Sequence, residues 1–440
     1  MALVQNSSAA PAVVGKHRPA IALLLSADSA DALREVARQW AGRLARPDTR
    51  LEDAALGAAV RQDYFRHRFA FTAASSAEAV ATLEAFARRG TAPPGGSGIC
   101  PPSRTKLAFV FSGLGSHWAG MGRSLLDEPA FRIAAERCDA VAKAIVGISV
   151  IDELLRPDAQ SRLDTPRIGA IAVFTVQIAL ASLWKSIGIV PDLVVGHSHG
   201  EVAAAHVAGA LELEDAALIS AHCGLLMQRL AGTGKVAVIR APPEKVARML
   251  GARESKVWIA GASSPGATVV AGDPNGVAEI VAAFGRRGIF TRQSRLEIAF
   301  HTPHLDLLLP GLVAAVRSIR SGACDVPLVS SARGRCVDGE ELDAGFWGEL
   351  LRHPFSLPRA VSAAIGEGAN LFVEISPHPV IAAGIAESLS AMSCNVPVLA
   401  SMRRAVDGRR HFLDAACTLY AAGCRVSLEG FFTRDSRRKT

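Results

Sequence analysis

The chain has 440 residues, half of them apolar and only 5% aromatic, with a net charge of +7. This composition excludes a disordered or fibrous protein, and the length predicts two or three domains. The basic residues form no stripe with interleaved aromatic residues, so nucleic-acid binding is not expected. Eight scattered cysteines without a C-x-x-C pair predict a cytoplasmic protein rather than a disulfide or zinc framework.

The first part of the chain predicts a small α/β domain at residues 19–98, after a loose N-terminus at residues 1–18 that lacks the apolar core of a signal peptide. Its expected elements are a strand at 21–25, a helix at 29–45, a strand at 68–73 and a helix at 76–89. The Gly- and Pro-rich run 90–98 is typical of a linker. Because the first strand is apolar, we expect this domain to pack against the rest of the protein.

A larger domain is expected at residues 105–234 and 299–395, interrupted by a smaller one at 235–298. The β-α-β-β-α order of the insertion, with a last strand near 292–298, predicts a ferredoxin-like unit. The apolar run 168–184 is short for a membrane span and contains polar residues, so it predicts a buried helix and no membrane association. The C-terminal segment, residues 396–440, contains one amphipathic helix at 407–422.

The run Gly196-His197-Ser198-His199-Gly200 lies between a predicted strand and a predicted helix, which is the arrangement of a nucleophile elbow. A sharp turn lifts the serine hydroxyl above the sheet, and the helix N-terminus points its N–H groups at the site. The alternative is a tight glycine turn with an ordinary serine. We therefore interpret Ser198 as a nucleophile.

An activated serine needs a base, and the chain contains twelve histidines. His301, at the point where the larger domain resumes, is one of several candidates, and a structural histidine is the alternative. The turn Gly113-Leu114-Gly115-Ser116 follows the first strand of the larger domain. Its N–H groups, with that of the residue after the nucleophile, could form an oxyanion hole.

Four ordered motifs together resemble the acyltransferase domains of fatty-acid and modular polyketide synthases. The motifs are VFSGLGSHWAGMG (110–122), GHSHGE (196–201), AFHTPHLD (299–306) and FVEISPHPVI (372–381). The resemblance implies an α/β fold with an α/β-hydrolase-like large subdomain and an inserted ferredoxin-like small one. Residues 19–98 resemble the linker domain between ketosynthase and acyltransferase, and residues 396–440 the linker after the acyltransferase.

The resemblance also implies roles for individual residues. Ser198 would be the nucleophile, His301 the general base, and the N–H groups of Leu114 and His199 the oxyanion donors. A main-chain carbonyl, which we expect in the turn 376–379, would orient the histidine. His197 and Phe300 would contact the substrate.

The sequence departs from the family where the substrate would lie. Members that use malonyl or methylmalonyl units carry an arginine at the position of Cys223, and its guanidinium pairs with the substrate carboxylate. Ser263 replaces an asparagine and Ala170 a glutamine, while Leu114 stands in place of another glutamine. These changes predict an altered acyl pocket.

The resulting hypothesis is an acyltransferase that moves a non-carboxylated acyl group from acyl-CoA or an acyl carrier protein through Ser198 to the phosphopantetheine thiol of a carrier protein. A neighbouring ketosynthase would be a further partner, and no bound cofactor or metal is expected. Three alternatives stay open: a malonyl or methylmalonyl transferase, with Arg229, His199 or His222 holding the carboxylate; a thioester hydrolase; and a degenerate docking domain.

Overall fold

The computed structural model describes residues 20–60, 63–90, 92, 96–101, 104–251, 256–295 and 297–431; the expected loose N-terminus lies almost entirely outside them. The first unit is an antiparallel sheet in the order β1-β2-β3 with helices packed on it. Its elements are β1 (Ile21–Ala27), α1 (Ala30–Leu44), α2 (Leu51–Val60), β2 (His67–Ala73), α3 (Ser76–Arg89) and β3 (Ser97–Ile99). Ser29 and Ser75 cap α1 and α3 by accepting the N–H groups of Ala32 and Glu78.

Two features of this unit were not predicted. Helix α2 has weak amphipathic character because half of its residues are buried alanine and leucine and most of the others are small or apolar. Strand β3 begins inside the segment predicted to be a linker, and Gly98 is required there because a Cβ atom would collide with the carbonyl of Ala421.

The first half of the large subdomain alternates strands with buried helices. Its elements are β4 (Leu107–Phe111), α4 (Pro129–Val146), α5 (Val150–Leu155), α6 (Pro166–Ser186), β5 (Leu193–Gly196), α7 (Gly200–Val207) and α8 (Leu213–Arg229). Helix α6 is long and apolar enough to cross a membrane by length and composition, but 89% of its most apolar window is buried. That burial comes from packing against α4 and α8.

The small subdomain contains β6 (Lys235–Ile239), α9 (Pro243–Leu250), β7 (Val257–Ser264), β8 (Ala267–Gly272), α10 (Pro274–Gly285) and β9 (Thr291–Gln293). Its strands lie in the order β7-β8-β6-β9, with every neighbouring pair antiparallel. This is the ferredoxin-like arrangement. The last strand is shorter than predicted, since it ends at Gln293 rather than near Ile298.

The second half returns to the large sheet. Its elements are α11 (Leu309–Val316), β10 (Leu328–Ser330), β11 (Arg335–Val337), α12 (Ala344–Arg352), β12 (Phe355–Ser356), α13 (Leu357–Gly366), β13 (Leu371–Ile375), α14 (Ala382–Ala391), β14 (Val398–Ala400) and α15 (Gly408–Ala421). The sheet order is β11-β10-β5-β4-β13-β14, and all pairs are parallel except β10 with β11. Strand β12 pairs with β7 and so joins the two subdomains.

Helices cover both faces of the large sheet, so the side chains on both faces of its strands are buried. This explains why the strand sequences are continuous apolar runs. In β4, Leu107, Phe109 and Phe111 face the core formed with α4, α6 and α8. Ala108 and Val110 face the opposite core, formed with α13 and α14. Strand β14 lies in the segment predicted to be a linker, but it forms an edge of this sheet.

Candidate active site

Ser198 stands on a sharp turn between β5 and α7. Its φ angle of 53° lies in the left-handed region, which is strained for a residue with a side chain. The glycines on either side allow the turn: a Cβ atom at Gly196 would collide with Glu201, and one at Gly200 with the carbonyl of Phe111. The two glycines of the G-x-S-x-G pattern are thus required because neighbouring atoms lie too close for a side chain at either position.

His301 lies beside the serine. Its Nε2 is 2.8 Å from Ser198 Oγ, and its Nδ1 is 2.8 Å from the carbonyl oxygen of His353. Because a carbonyl only accepts, Nδ1 carries the proton and Nε2 is left to accept the serine proton. The orienting carbonyl therefore comes from the end of α12, and the expectation that it lies in the turn 376–379 was wrong.

Burial keeps the His301 imidazole neutral. It lowers the pKa of His301 to about 4, opposed by the bond to the His353 carbonyl. At neutral pH the ring is therefore in the form that can accept a proton.

Two N–H groups lie on the cavity wall near the serine. Leu114 and His199 both line the same cavity as Ser198, and neither N–H group donates to an acceptor among the described residues. Gln177 anchors the Leu114 turn, because its Nε2 donates to the carbonyls of Ser112 and Ile375 at 2.8 and 3.1 Å. The arrangement is suited to binding an oxyanion.

The two histidines that flank Ser198 are uncharged at neutral pH; His199 is buried and His197 is partly buried. Burial lowers the pKa of His197 to about 3 and that of His199 to about 4. His197 Nδ1 accepts the N–H of Gly113 at 3.4 Å, and His199 Nε2 lies 3.3 Å from the carbonyl of Ala170. Neither ring therefore supplies positive charge at neutral pH.

The cavity beside Ser198 has a volume of about 230 Å³ and lies between the two subdomains. Ser263 and Phe300 line it, as do the flanking histidines. Cys223 and Ala170 do not; they are buried in α8 and α6, whose surfaces pack together. These two residues, which the sequence analysis expects to contact the substrate, are therefore not part of the cavity wall.

One charged cavity residue was missed by the sequence analysis. Arg292, at the centre of β9, lines the cavity with an exposed side chain and forms no ion pair among the described residues. It is the only Lys, Arg, Asp or Glu in the described lining. The proposed alternatives Arg229 and His222 do not line the cavity. No sequence signal singled out Arg292. Its strand has only three residues, which is too short for a periodic pattern to predict which side chains face a cavity.

A buried carboxylate, Glu201, supports the turn from the opposite side. It accepts hydrogen bonds from Ser330 Oγ, Ser331 Oγ and the N–H of Ala332 at 2.7, 2.9 and 3.0 Å. Desolvation raises its pKa to about 7, against the effect of these donors. An acidic residue in the otherwise apolar first turn of a helix is a sequence signal for such a network, because a buried carboxylate needs partners.

Comparison with known proteins finds matches over most of the chain. The family model "Acyl transferase domain" matches residues 108–426, and the model "CurL-like, PKS C-terminal" matches residues 22–83. Polyketide synthase GfsA of Streptomyces halstedii is 32% identical over 98% of this chain, and erythronolide synthase EryA2 of Saccharopolyspora erythraea is 33% identical over 92% of it. The chain spans 6% and 12% of the lengths of these relatives.

Solved structures are similar across most of the chain. The acyltransferase domain from module 8 of the salinomycin polyketide synthase superimposes with a TM-score of 0.86 at 30% identity, covering 93% of this chain and 98% of its own. A loading acyltransferase from the avermectin modular polyketide synthase gives a TM-score of 0.67 at 32% identity, covering 71% of this chain and 99% of its own. With a family model matching well over half of its length, this chain belongs to the acyltransferase domains of polyketide synthases.

Proposed function

We propose that the chain transfers an acyl group from an acyl thioester to the phosphopantetheine thiol of an acyl carrier protein, with Ser198 as the covalent carrier. The observation that carries the proposal is the 2.8 Å contact between Ser198 Oγ and His301 Nε2, with Nδ1 held by a carbonyl. The donor is acyl-CoA or an acylated carrier protein, and a neighbouring ketosynthase is a further partner. The chemistry needs no bound cofactor or metal.

The proposed reaction has two matched halves. Ser198 Oγ attacks the thioester carbonyl while His301 Nε2 takes its proton, and the N–H groups of Leu114 and His199 stabilise the oxyanion. Collapse forms the Ser198 ester, and the departing thiolate takes the proton from His301. In the second half His301 accepts the proton of the carrier-protein thiol, whose sulfur attacks the ester, and His301 returns that proton to Ser198 Oγ as the ester bond breaks.

We further propose that the acyl group carries no carboxylate, as in a starter unit or a finished chain. The support is electrostatic: the flanking histidines that line the cavity are neutral, and Cys223, which is buried behind the cavity at the family's arginine position, has a thiol whose pKa burial raises to about 12. A malonyl carboxylate buried here without a partner would cost about 3–5 kcal/mol, which is about a hundredfold to several thousandfold in selectivity. The similarity to a loading acyltransferase is in keeping with this proposal.

A carboxylated extender unit is the second candidate, and Arg292 is the observation that favours it. Its guanidinium is a possible bidentate partner for a malonyl carboxylate at the cavity mouth. One similar solved domain, that of SpnD at 28% identity, is in complex with a 2-(pent-4-yn-1-yl)malonyl group. Since the Arg292 side chain is exposed, water screens its charge and weakens such a pair.

A loading assay separates the two candidates. The protein is mixed with propionyl-CoA or malonyl-CoA, and acyl-enzyme is measured over time by intact mass. We expect propionyl loading to exceed malonyl loading by about a hundredfold or more in kcat/KM. Equal loading would overturn the proposed preference, and loss of malonyl loading in Arg292→Gln would then assign the carboxylate partner. Added carrier protein should discharge the acyl-enzyme, whereas rapid release of free acid without it would indicate a hydrolase.

A further inference from the structure

The turn that carries Ser198 is tied to the loop after β10 by one buried hydroxyl group. The N–H of Ser198 donates to Ser331 Oγ at 3.2 Å, and Ser331 Oγ donates to Glu201 Oε1 at 2.9 Å. A hydroxyl has a single hydrogen. Since the Glu201 carboxylate takes it, a lone pair of Ser331 Oγ faces the Ser198 N–H.

The same residue is connected to the segment that holds His301. The Ser331 N–H donates to the carbonyl of Gly196 at 3.1 Å, and the Ser331 carbonyl accepts the N–H of Ser356 at 2.9 Å. Three residues before Ser356, the carbonyl of His353 holds His301 Nδ1. Ser331 therefore bonds both to the turn of the nucleophile and to the segment that orients the base.

We infer that Ser331 and Glu201 are positioning residues, which hold the strained Ser198 backbone at the distance from His301 that proton transfer needs. This inference rests on the proposed roles of Ser198 and His301. Neither positioning residue touches the substrate, so their effect is on the orientation of Ser198 rather than on binding. Loss of alignment by about 1 Å can cost about a hundredfold in rate.

The neighbouring serine provides a matched control. Ser330 is as completely buried as Ser331 and also donates to Glu201, at 2.7 Å, but it makes no bond to Ser198. If the serines only satisfied the buried carboxylate, Ser330→Ala and Ser331→Ala would have equal effects. If Ser331 positions the nucleophile, its replacement should slow Ser198 chemistry selectively.

The test compares the two alanine variants at pH 8, because burial raises the pKa of Glu201 to about 7. We expect Ser331→Ala to load acyl groups about ten- to a hundredfold more slowly than Ser330→Ala, with unchanged KM. The same difference should appear in the rate at which phenylmethylsulfonyl fluoride labels Ser198, a reaction that needs no acyl thioester. Labelling of Ser198 without thioester loading would therefore contradict the proposed function and leave this inference standing.

Equal labelling rates in the two variants would overturn the inference. If Ser331→Ala does not fold, Ser331→Thr and Ser331→Val give the same comparison, because they have similar shapes and differ in the hydroxyl group. We expect the Thr variant to be labelled at least about ten times faster than the Val variant. Equal rates for this pair would also overturn the inference.

Discussion

At the scale of single residues, His301 is distinguished by its two contacts, one to Ser198 and one to the His353 carbonyl. His304, three residues along the same segment, packs edge-on against Trp258 instead. The two histidines therefore form a natural comparison between a proposed base and a structural residue.

We expect His301→Ala to slow loading of Ser198 by about a hundredfold to ten-thousandfold, because the serine loses its proton acceptor. The circular dichroism spectrum should stay that of the folded protein. His304→Ala should load within about threefold of the wild type. Loading is measured by intact mass at pH 8, and comparable rates for the His301 variant and the wild type would contradict the assignment.

The buried His199 predicts a specific dependence of stability on pH. Its folded pKa is lowered to about 4 from 6.5, so the unfolded chain binds a proton that the folded protein does not between these values. Its contribution to stability is present above pH 6.5 and is lost as the pH falls toward 4. At pH 5.5 the loss is about 1 kcal/mol.

A His199→Gln variant removes this titration while keeping a donor for the Ala170 carbonyl. We expect the free energy of unfolding of the variant, relative to that of the wild type, to improve by about 1 kcal/mol between pH 7.5 and pH 5.5. Urea unfolding at the two pH values measures it. A relative stability that does not change with pH would mean that His199 is not held neutral.

The local sequence pattern indicated that Ser198 is a nucleophile, because the glycines, the strand and the helix that form its turn are contiguous in sequence. The resemblance to a known family then indicated His301, and the structure brings the two within hydrogen-bond distance; their catalytic roles stay predictions. The carbonyl partner His353 and the support from Ser331 were not predictable, because backbone groups and loop residues more than 50 positions away carry no pattern that links them to Ser198 or His301.

At the scale of elements, helix α8 determines what lies behind the acyl cavity. Met227 reaches the cavity wall, whereas Cys223, one turn earlier, is buried against α6. Whether a given buried side chain reaches a cavity depends on its length and on the neighbouring helix, which the sequence pattern does not show. The short strands β3, β9 and β14 were missed or misplaced for a related reason, since three residues show no periodicity.

We expect Cys223→Arg to raise malonyl loading relative to propionyl loading by at least about tenfold, because a guanidinium can extend toward the cavity and pair with the carboxylate. Cys223→Met is the control, since it adds length without charge. The two kcat/KM values are measured for each variant. A similar change in both variants would show that volume rather than charge controls the preference.

At the scale of the whole molecule, the N-terminal sheet is held by the C-terminal segment. Helix α15 packs on β1 and β2, and the guanidinium of Arg68 donates to the carbonyls of Tyr420 and Cys424 at 3.0 and 2.6 Å. Arg68 also lies over the rings of Tyr64 and Tyr420. Part of the covering layer expected for the first strand is thus supplied by a helix more than 380 residues away, in addition to α1 and α2.

Arg68→Ala should loosen this contact and destabilise the protein by about 3 kcal/mol, because one buried and one partly buried carbonyl lose a charged donor. Limited proteolysis should then cut between the N-terminal sheet and β4 faster than in the wild type. Arg88→Ala is the control, since Arg88 forms an exposed ion pair within α3. Equal cleavage rates in the two variants would contradict the role of Arg68.

The central claim, that Ser198 carries the acyl group, is tested most directly by the mass of the intact protein after incubation with propionyl-CoA. We predict that the wild type gains the mass of one propionyl group, that peptide mapping places it on Ser198, and that Ser198→Ala gains none. Equal acylation of the Ser198→Ala protein, or a label that maps to another residue, would contradict the account.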